Sequence, residues 1–208
     1  MREALPGVFH WVAQHPAIGI EVSSYWLEDG GVLIDPLVPP DGGLEWFTQR
    51  PAAPAAVVLS NRLHYRESNR FVERFGCEVY VPRSGLHNFS GRQPVLAYDP
   101  GDVLPGGLVV HEVDAICPDD MALYREASRA VWFADGLVHG SAGLGFVTDS
   151  LMDAPEQTKQ GLLDSFRRIL DRLDFDHVLT AHGDPVVDEG RRQLEALVQI
   201  AGRTAWET

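Results

Sequence analysis

Residues 55–71 read AAVVLSNRLHYRESNRF, a stretch that changes from apolar to polar and then to amphipathic. Its first five residues, 55–59, form a short continuous apolar run, which is typical of a buried strand. After a polar loop, Phe71 and Phe75 share one face of a helix, and Gly76 suits the left-handed position that ends a helix. The stretch therefore predicts a strand, a loop and a helix in that order.

The segments before this stretch have the pattern of antiparallel strands. Residues 8–13 and 23–36 are strand-like, and the sequence EDGG at 28–31 is a good hairpin turn inside the second segment. A short helix is predicted around residues 44–49, before two prolines that break it. We therefore expect the N-terminal third to begin as an antiparallel meander.

The second half of the chain repeats the order of strands followed by helices. A helix begins near Pro155, because Leu162, Phe166 and Ile169 recur at three- and four-residue spacing. Two halves of this kind favour a mixed α/β fold in which two sheets pack face to face between helices. The further strand-like segments are 78–81, 108–113, 121–124, 130–134 and 177–180.

Length and composition limit the number of domains and the kinds of molecule that the protein can bind. The 208 residues fit a single domain, 1–208. With 17 Lys and Arg against 30 Asp and Glu, the formal charge of −13 repels phosphate backbones and anionic lipid. The chain lacks a bilayer-length apolar stretch and a secretory signal, and we expect Cys77 and Cys117 to be free thiols in a reducing compartment. We therefore expect a cytoplasmic protein with a small-molecule substrate or ligand, no nucleic acid and no membrane; a homo-oligomer is left open.

Four stretches of the chain together resemble the metallo-β-lactamase fold. This is a four-layer αββα sandwich whose members usually hold one or two metal ions between the edges of two sheets. The order and spacing of the stretches agree with that fold over nearly the whole chain. They are SSYWLEDGGVLIDPL at 23–37, the stretch at 55–71, RAVWFADGLV at 129–138 and VLTAHGDPV at 178–186.

The metal-binding positions of that fold are only partly filled in this sequence. Asp135 takes the position of the bridging carboxylate, and His182 takes that of the last histidine. Cys117 lies in the stretch that resembles the one carrying a further histidine, where it is either a soft ligand near the site or a small buried hydrophobe. The positions of the HxHxDH signature are filled by Asn61, Leu63, Tyr65 and Arg66.

One hypothesis is a hydrolase with a reduced, mononuclear metal site. His64 and Glu67 also lie in the signature loop, although not at the positions of the HxHxDH pattern. They share a face of the helix that follows if this helix begins early. His64, Asp135 and His182, with Glu67 as an optional fourth ligand, give a two-histidine carboxylate set suited to one zinc or iron ion. Such a site would hydrolyse a small ester, thioester or lactam.

The same hypothesis assigns supporting roles to three neighbours of the site. Asp35 orients one of the ligands through its carboxylate. Tyr65 or Asn61 donates a hydrogen bond to the oxyanion that forms during hydrolysis.

The alternative hypothesis is a metal-free relative that binds a ligand or a partner without catalysis. In it, Arg66 forms an ion pair with Asp135, and His182 completes a polar network in place of the cation. Exposed tryptophans would then matter for partner binding. The candidates are Trp11, Trp26, Trp46 and Trp206.

Overall fold

The computed structural model describes residues 1–91 and 94–204. The strands are β1 (Arg2–Leu5), β2 (Val8–Gln14), β3 (Glu21–Leu27), β4 (Val32–Ile34), β5 (Ala56–Val58), β6 (Glu78–Pro82), β7 (Leu96–Tyr98), β8 (Val103–Leu104), β9 (Leu108–Glu112), β10 (Met121–Arg125), β11 (Ala130–Phe133), β12 (Val138–Gly140), β13 (Gly143–Gly145) and β14 (His177–Thr180). The α-helices are α1 (Glu45–Thr48), α2 (Ser68–Phe75), α3 (Pro155–Arg172) and α4 (Gly190–Thr204). Short 3-10 helices lie at Arg62–Tyr65, Arg83–Phe89, Pro105–Gly107, Glu126–Ser128 and Asp149–Leu151.

The strands form two mixed sheets and a separate hairpin. The first sheet runs in chain order from β1 to β7, antiparallel as far as β4 and parallel from there to β7. The second sheet has the order β14-β11-β10-β9-β8, and in it only the β11–β14 pair is parallel. Strands β12 and β13 pair with each other. The antiparallel meander predicted for the N-terminal third is confirmed.

Successive side chains of each strand point to opposite faces of its sheet, so each sheet packs on both sides and the molecule has four layers. In the first sheet, Tyr25 and Val58 face the second sheet, where they pack in one core with Trp132. Their neighbours on the opposite face pack against Phe71 of α2. On the outer face of the second sheet, Phe166 of α3 packs in a third core together with α4. The result is the predicted αββα sandwich, with helices covering both outer faces.

The helix after β5 does not begin early, which is the condition under which His64 and Glu67 would share a face. The chain first forms the 3-10 helix Arg62–Tyr65 and then breaks at Arg66, whose φ is 45°. Helix α2 starts only at Ser68 and ends, as predicted, at Gly76 in the left-handed conformation. Because the break separates them, His64 and Glu67 do not share a helical face.

Of the four tryptophans named as candidates for partner binding, two are buried. Trp11 and Trp26 are buried in the core beneath α2, so their expected exposure is wrong. Trp46 is half-buried against the same core, and Trp206 lies outside the described residues. Among the described helices, none has the length and hydropathy to cross a bilayer.

Candidate metal centre

Three side chains from distant parts of the sequence converge where the two sheets meet. Asp135 and His182 each follow their strand, β11 or β14, by two residues, and these strands are parallel neighbours. The ends of parallel neighbours lie at the same edge of a sheet, so the two side chains are brought together. His64 reaches them from the 3-10 helix that follows β5 of the other sheet. One ligand atom from each residue lies within 4.8 Å of the other two.

Both histidines present the same ring nitrogen to the same carboxylate oxygen. His64 Nε2 lies 3.1 Å from Asp135 Oδ1, and His182 Nε2 lies 3.0 Å from it. The other oxygen of Asp135 accepts a hydrogen bond of 2.8 Å from the Asn61 side-chain amide. The arrangement gathers two imidazole nitrogens and one carboxylate oxygen, the donor set predicted from the sequence.

A second carboxylate holds the far side of the His64 ring. His64 Nδ1 lies 2.9 Å from Asp35 Oδ2 and 3.0 Å from Ser60 Oγ. Asp35 in turn accepts hydrogen bonds from the Ser60 hydroxyl and from the Ser60 backbone N–H, the latter at 2.8 Å. A carboxylate on Nδ1 keeps a proton there and leaves Nε2 as the coordinating nitrogen. Asp35 therefore lies where the orienting role predicted for it requires.

The charges of the cluster depend on one another. Burial alone would lower the pKa of His64, but the carboxylates of Asp135 and Asp35 raise it to about 9. Burial would raise the pKa of Asp135, yet His64 and His182 hold it well below its usual range. The pKa of Asp35 is lowered for a similar reason, because His64 outweighs the effect of burial. Without a cation, His64 is therefore an imidazolium at neutral pH, and a metal ion must displace its proton.

A buried acid that the sequence did not single out fixes the backbone at Asp135. The carboxylate of Asp120 accepts hydrogen bonds from the N–H groups of Asp135 and Gly136, at 3.0 and 3.1 Å. Burial, followed by the nearby charge of Asp135, raises the pKa of Asp120 to about 8. Its neighbour Asp119 is also buried and binds the Arg62 backbone N–H at 2.7 Å. Both acidic side chains therefore accept hydrogen bonds from backbone N–H groups although their residue type favours solvent.

Two predicted site residues lie outside the cluster. The carboxylate of Glu67 accepts hydrogen bonds from the Val38 backbone N–H at 2.7 Å and from the Arg70 guanidinium at 3.0 Å. The ring of Tyr65 packs in the core beneath α2, with its centroid 5.9 Å from that of Phe89. Glu67 is not in the group that converges at Asp135, and neither residue lines the cavity, so neither is placed to bind metal or substrate there.

Arg66 contacts the site through backbone carbonyls and does not form the expected pair with Asp135. Its Nη1 donates to the carbonyl oxygens of Ser23 and Asp35, at 2.7 and 2.6 Å. Its buried Nη2 has no hydrogen-bond partner among the described residues. Burial lowers the pKa of Arg66, and the charges of Asp35 and Asp135 act against this effect. The pair is not formed because histidines and an amide already surround the Asp135 carboxylate.

Asn61 and Cys117 are close to the cluster but differ in what they can offer. Both ends of the Asn61 amide are engaged, since its Oδ1 accepts from the Leu63 N–H at 2.9 Å and its Nδ2 donates to Asp135. It positions Asp135 through one N–H of its amide, and because it is not among the residues that line the cavity, it is not placed to donate to an oxyanion there. Cys117 lines the cavity beside the site, and burial, followed by the charges of Asp120 and Asp119, raises its pKa to about 12. Its sulfur is therefore a neutral thiol in this structure.

A cavity of about 690 Å³ opens onto the three converging side chains. His15 and His139, which sequence spacing gave no reason to select, also line it. His15 Nδ1 accepts a hydrogen bond of 3.2 Å from the Ala17 N–H, and His139 Nδ1 lies 2.6 Å from the Asp184 carbonyl oxygen. His15 lies in the β2–β3 loop and His139 in the short strand β12, so only the folded chain brings them to the cavity.

The fold is shared with solved structures, although the sequence is distant from them. No family model and no curated protein matches the sequence. A metallo-β-lactamase family protein from Thermus thermophilus, TTHA1429, is 17% identical with a TM-score of 0.70, over 97% of this chain and 81% of that one. TTHA1623 in a di-iron-bound form is 23% identical with a TM-score of 0.67, over 89% and 96%. The DIM-1 metallo-β-lactamase is 12% identical with a TM-score of 0.72, over 96% of each chain. This chain therefore has the metallo-β-lactamase fold.

Proposed function

We propose that this chain is a metal-dependent hydrolase that uses one divalent ion, zinc or ferrous iron, held by His64, Asp135 and His182. The observation that carries the proposal is the convergence of two imidazole Nε2 atoms and one carboxylate oxygen within 4.8 Å. The residues fit such an ion, because catalytic zinc sites use three protein ligands of this kind and keep a further position open. Two histidines and one carboxylate also suit non-haem ferrous iron.

The surroundings of the ligands support the same proposal. Asp35 on His64 Nδ1 is the kind of partner that fixes the tautomer of a ligating histidine. TTHA1623, one of the structural neighbours, binds two irons. In the described part of this chain only three residues converge at the site, and the leucine, tyrosine and arginine of the signature loop offer no further ligand. We therefore propose a single ion.

Each residue around the site has a definable part in hydrolysis. When bound, a divalent ion supplies Lewis acidity, which polarises a carbonyl and makes water a better nucleophile at neutral pH. Asn61 holds one oxygen of Asp135, so the other is directed at the histidines. Asp120 fixes the backbone of the Asp135 turn. Neutral His15 carries its proton on Nε2, because its Nδ1 accepts from Ala17, and this N–H can donate to a substrate in the cavity.

The substrate class follows from the chemistry of a single ion beside a cavity of this size. We propose a small ester, thioester or lactam, each of which has a carbonyl that the ion can polarise. The cavity of about 690 Å³ has the volume of a typical small-molecule site.

Metal content is the measurement that tests the proposal. Untagged protein purified without chelator should contain about one equivalent of zinc or iron by plasma mass spectrometry. His182→Ala should lose the ion, whereas His87→Ala, at an exposed histidine outside the cavity, should keep it. Metal below about a tenth of an equivalent after incubation with zinc and with iron under reducing conditions would contradict the proposal.

The alternative, a metal-free binding module, is favoured by one observation. The chain itself balances the buried charge of Asp135 through an imidazolium at His64 and the amide of Asn61. A cavity that opens onto such a network could bind a ligand without hydrolysing it. Ligand binding by protein that stays metal-free after the incubation above would support this alternative.

A further inference from the structure

Four exposed apolar side chains surround the mouth of the cavity at the metal centre. They are Ile18, Ile20, Leu63 and Leu151, with exposed fractions of 61%, 47%, 58% and 67%, and we call them the apolar rim. They come from three segments far apart in the sequence: the β2–β3 loop, the 3-10 helix after β5 and the 3-10 helix before α3. Single exposed apolar residues are ordinary, but a group from separate segments around one opening marks a binding surface.

The apolar surface continues from the rim towards the metal ligands. Val22, Phe146 and Val147 line the same cavity as His64 and His182. Phe146 is held in place by the core beneath α3, since its ring stacks on that of Phe166 with the centroids 6.3 Å apart. The wall is therefore anchored, and an apolar chain could lie along it from the opening to the ligands.

The arginines among the described lining residues are both engaged with the protein. The Arg62 guanidinium is paired with the buried carboxylate of Asp119. Arg66 Nη1 bonds to two backbone carbonyls, and its Nη2 is buried. Both guanidinium groups are therefore held by the protein, and one nitrogen, Arg66 Nη2, has no hydrogen-bond partner among the described residues.

We propose that the substrate is an ester, thioester or lactam that carries an apolar chain of several carbons. The chain lies against the rim and the wall, and the carbonyl lies at His64, Asp135 and His182. This inference rests on the proposed function, and it adds the specificity of the same site. Burial of each methylene against such a surface raises affinity about threefold.

A series of p-nitrophenyl esters tests the specificity directly. With the zinc-loaded protein, kcat/KM should rise about threefold per methylene from the acetyl to the octanoyl ester. The ratio of octanoyl to acetyl kcat/KM should fall at least fivefold in Leu63→Ser and in Ile18→Ser. It should not change in Val103→Ser, which removes an exposed apolar side chain outside the cavity. An unchanged ratio in both rim variants, or metal-dependent hydrolysis with no dependence on chain length, would overturn the inference and leave the proposed function intact.

A binding measurement separates failure of the inference from failure of the proposed function. If no ester is hydrolysed in a metal-dependent way, the proposed function fails, and calorimetry with N-methyl acetamide, hexanamide and octanamide then tests the rim. Affinity that rises with chain length and is lost in Leu63→Ser supports apolar recognition, and its absence overturns it. Sedimentation measures whether the chain forms a dimer through this surface. A dimer that dissociates in the rim variants would show that a second copy of the chain covers the rim, and this result would also overturn the inference.

Discussion

Asp35 holds His64 on the side of the ring that faces away from the cavity, with its Oδ2 2.9 Å from Nδ1. The aspartate comes directly after β4 and has a φ of 48°, a left-handed conformation that is uncommon for a residue with a side chain. The site thus contains a second carboxylate, that of Asp35, which contacts His64 at Nδ1. This is the ring nitrogen that would not coordinate a metal ion.

Replacing Asp35 should weaken metal binding although it does not touch the ion. In Asp35→Asn the amide no longer compels a proton on Nδ1, so we expect metal affinity to fall about 10- to 100-fold. Competition with a chromophoric chelator measures this change. Asp41→Asn, at an exposed aspartate, is the matched control and should bind like the parent. Equal affinities in the two variants would show that Asp35 has no orienting role.

Metal should stabilise the folded chain, and the effect should require His182. At a free zinc concentration one hundred times the Kd, binding to the native state alone adds about 2.7 kcal/mol to the free energy of unfolding. Thermal melts with zinc and with chelator should therefore differ for the parent and for His87→Ala, and coincide for His182→Ala. A zinc-dependent shift that persists in His182→Ala would place the bound ion elsewhere.

Arg66 should stabilise the fold through the carbonyl oxygens of Ser23 and Asp35. Arg66→Ala leaves these buried acceptors without their charged donor, which should cost about 1–3 kcal/mol of unfolding free energy. Urea denaturation measures the loss. Arg83→Ala, which removes an exposed ion pair with Asp99, should cost less than about 1 kcal/mol. If the two variants lost the same stability, the carbonyl contacts of Arg66 would carry no weight.

His10 should make the protein less stable as the pH falls from 6.5 towards 4. Burial, with a smaller effect from the charge of Arg2, lowers the pKa of His10 to about 4, against 6.5 in the unfolded chain. The unfolded state therefore takes up this proton first, and the penalty is absent above pH 6.5 and grows to about 3 kcal/mol near pH 4. Unfolding free energies measured across this range should fall less steeply for His10→Gln than for the parent or for His87→Gln. Parallel pH profiles for all three proteins would refute this role of His10.

The sequence predicted the layers of the fold because its strands and helices have clear periodicity. The apolar run before Ser60 and the helix that ends at Gly76 lie where the pattern put them. The three converging side chains were also selected at the level of the sequence: Asp135 and His182 because they take metal-binding positions of the fold that the sequence resembles, and His64 because it lies in the signature loop. The strands and helices depend on short-range pattern, which the sequence displays directly.

The remainder of the site depends on tertiary contacts that no local pattern displays. The break at Arg66 removes Glu67 from the cluster. It occurs at a non-glycine residue with positive φ, a conformation that the residue type does not predict. No local pattern marks the role of Asp120, because the N–H groups that it binds lie 15 and 16 residues away in the sequence. The one available signal was its position immediately before the apolar strand that starts at Met121, where a side chain enters the interior.

The three converging side chains come from both sheets, so metal chemistry at this site would depend on the integrity of the molecule as a whole. An ion joining His64 to Asp135 would close a loop of 71 residues, and one joining Asp135 to His182 would close a further 47. Such an ion acts as a cross-link between halves that otherwise meet through contacts such as the Tyr25 hydroxyl on the Thr180 carbonyl, at 2.8 Å. A substitution that loosens the packing between the sheets, for instance at Trp132, should therefore lower metal affinity even though none of the three ligating side chains is changed.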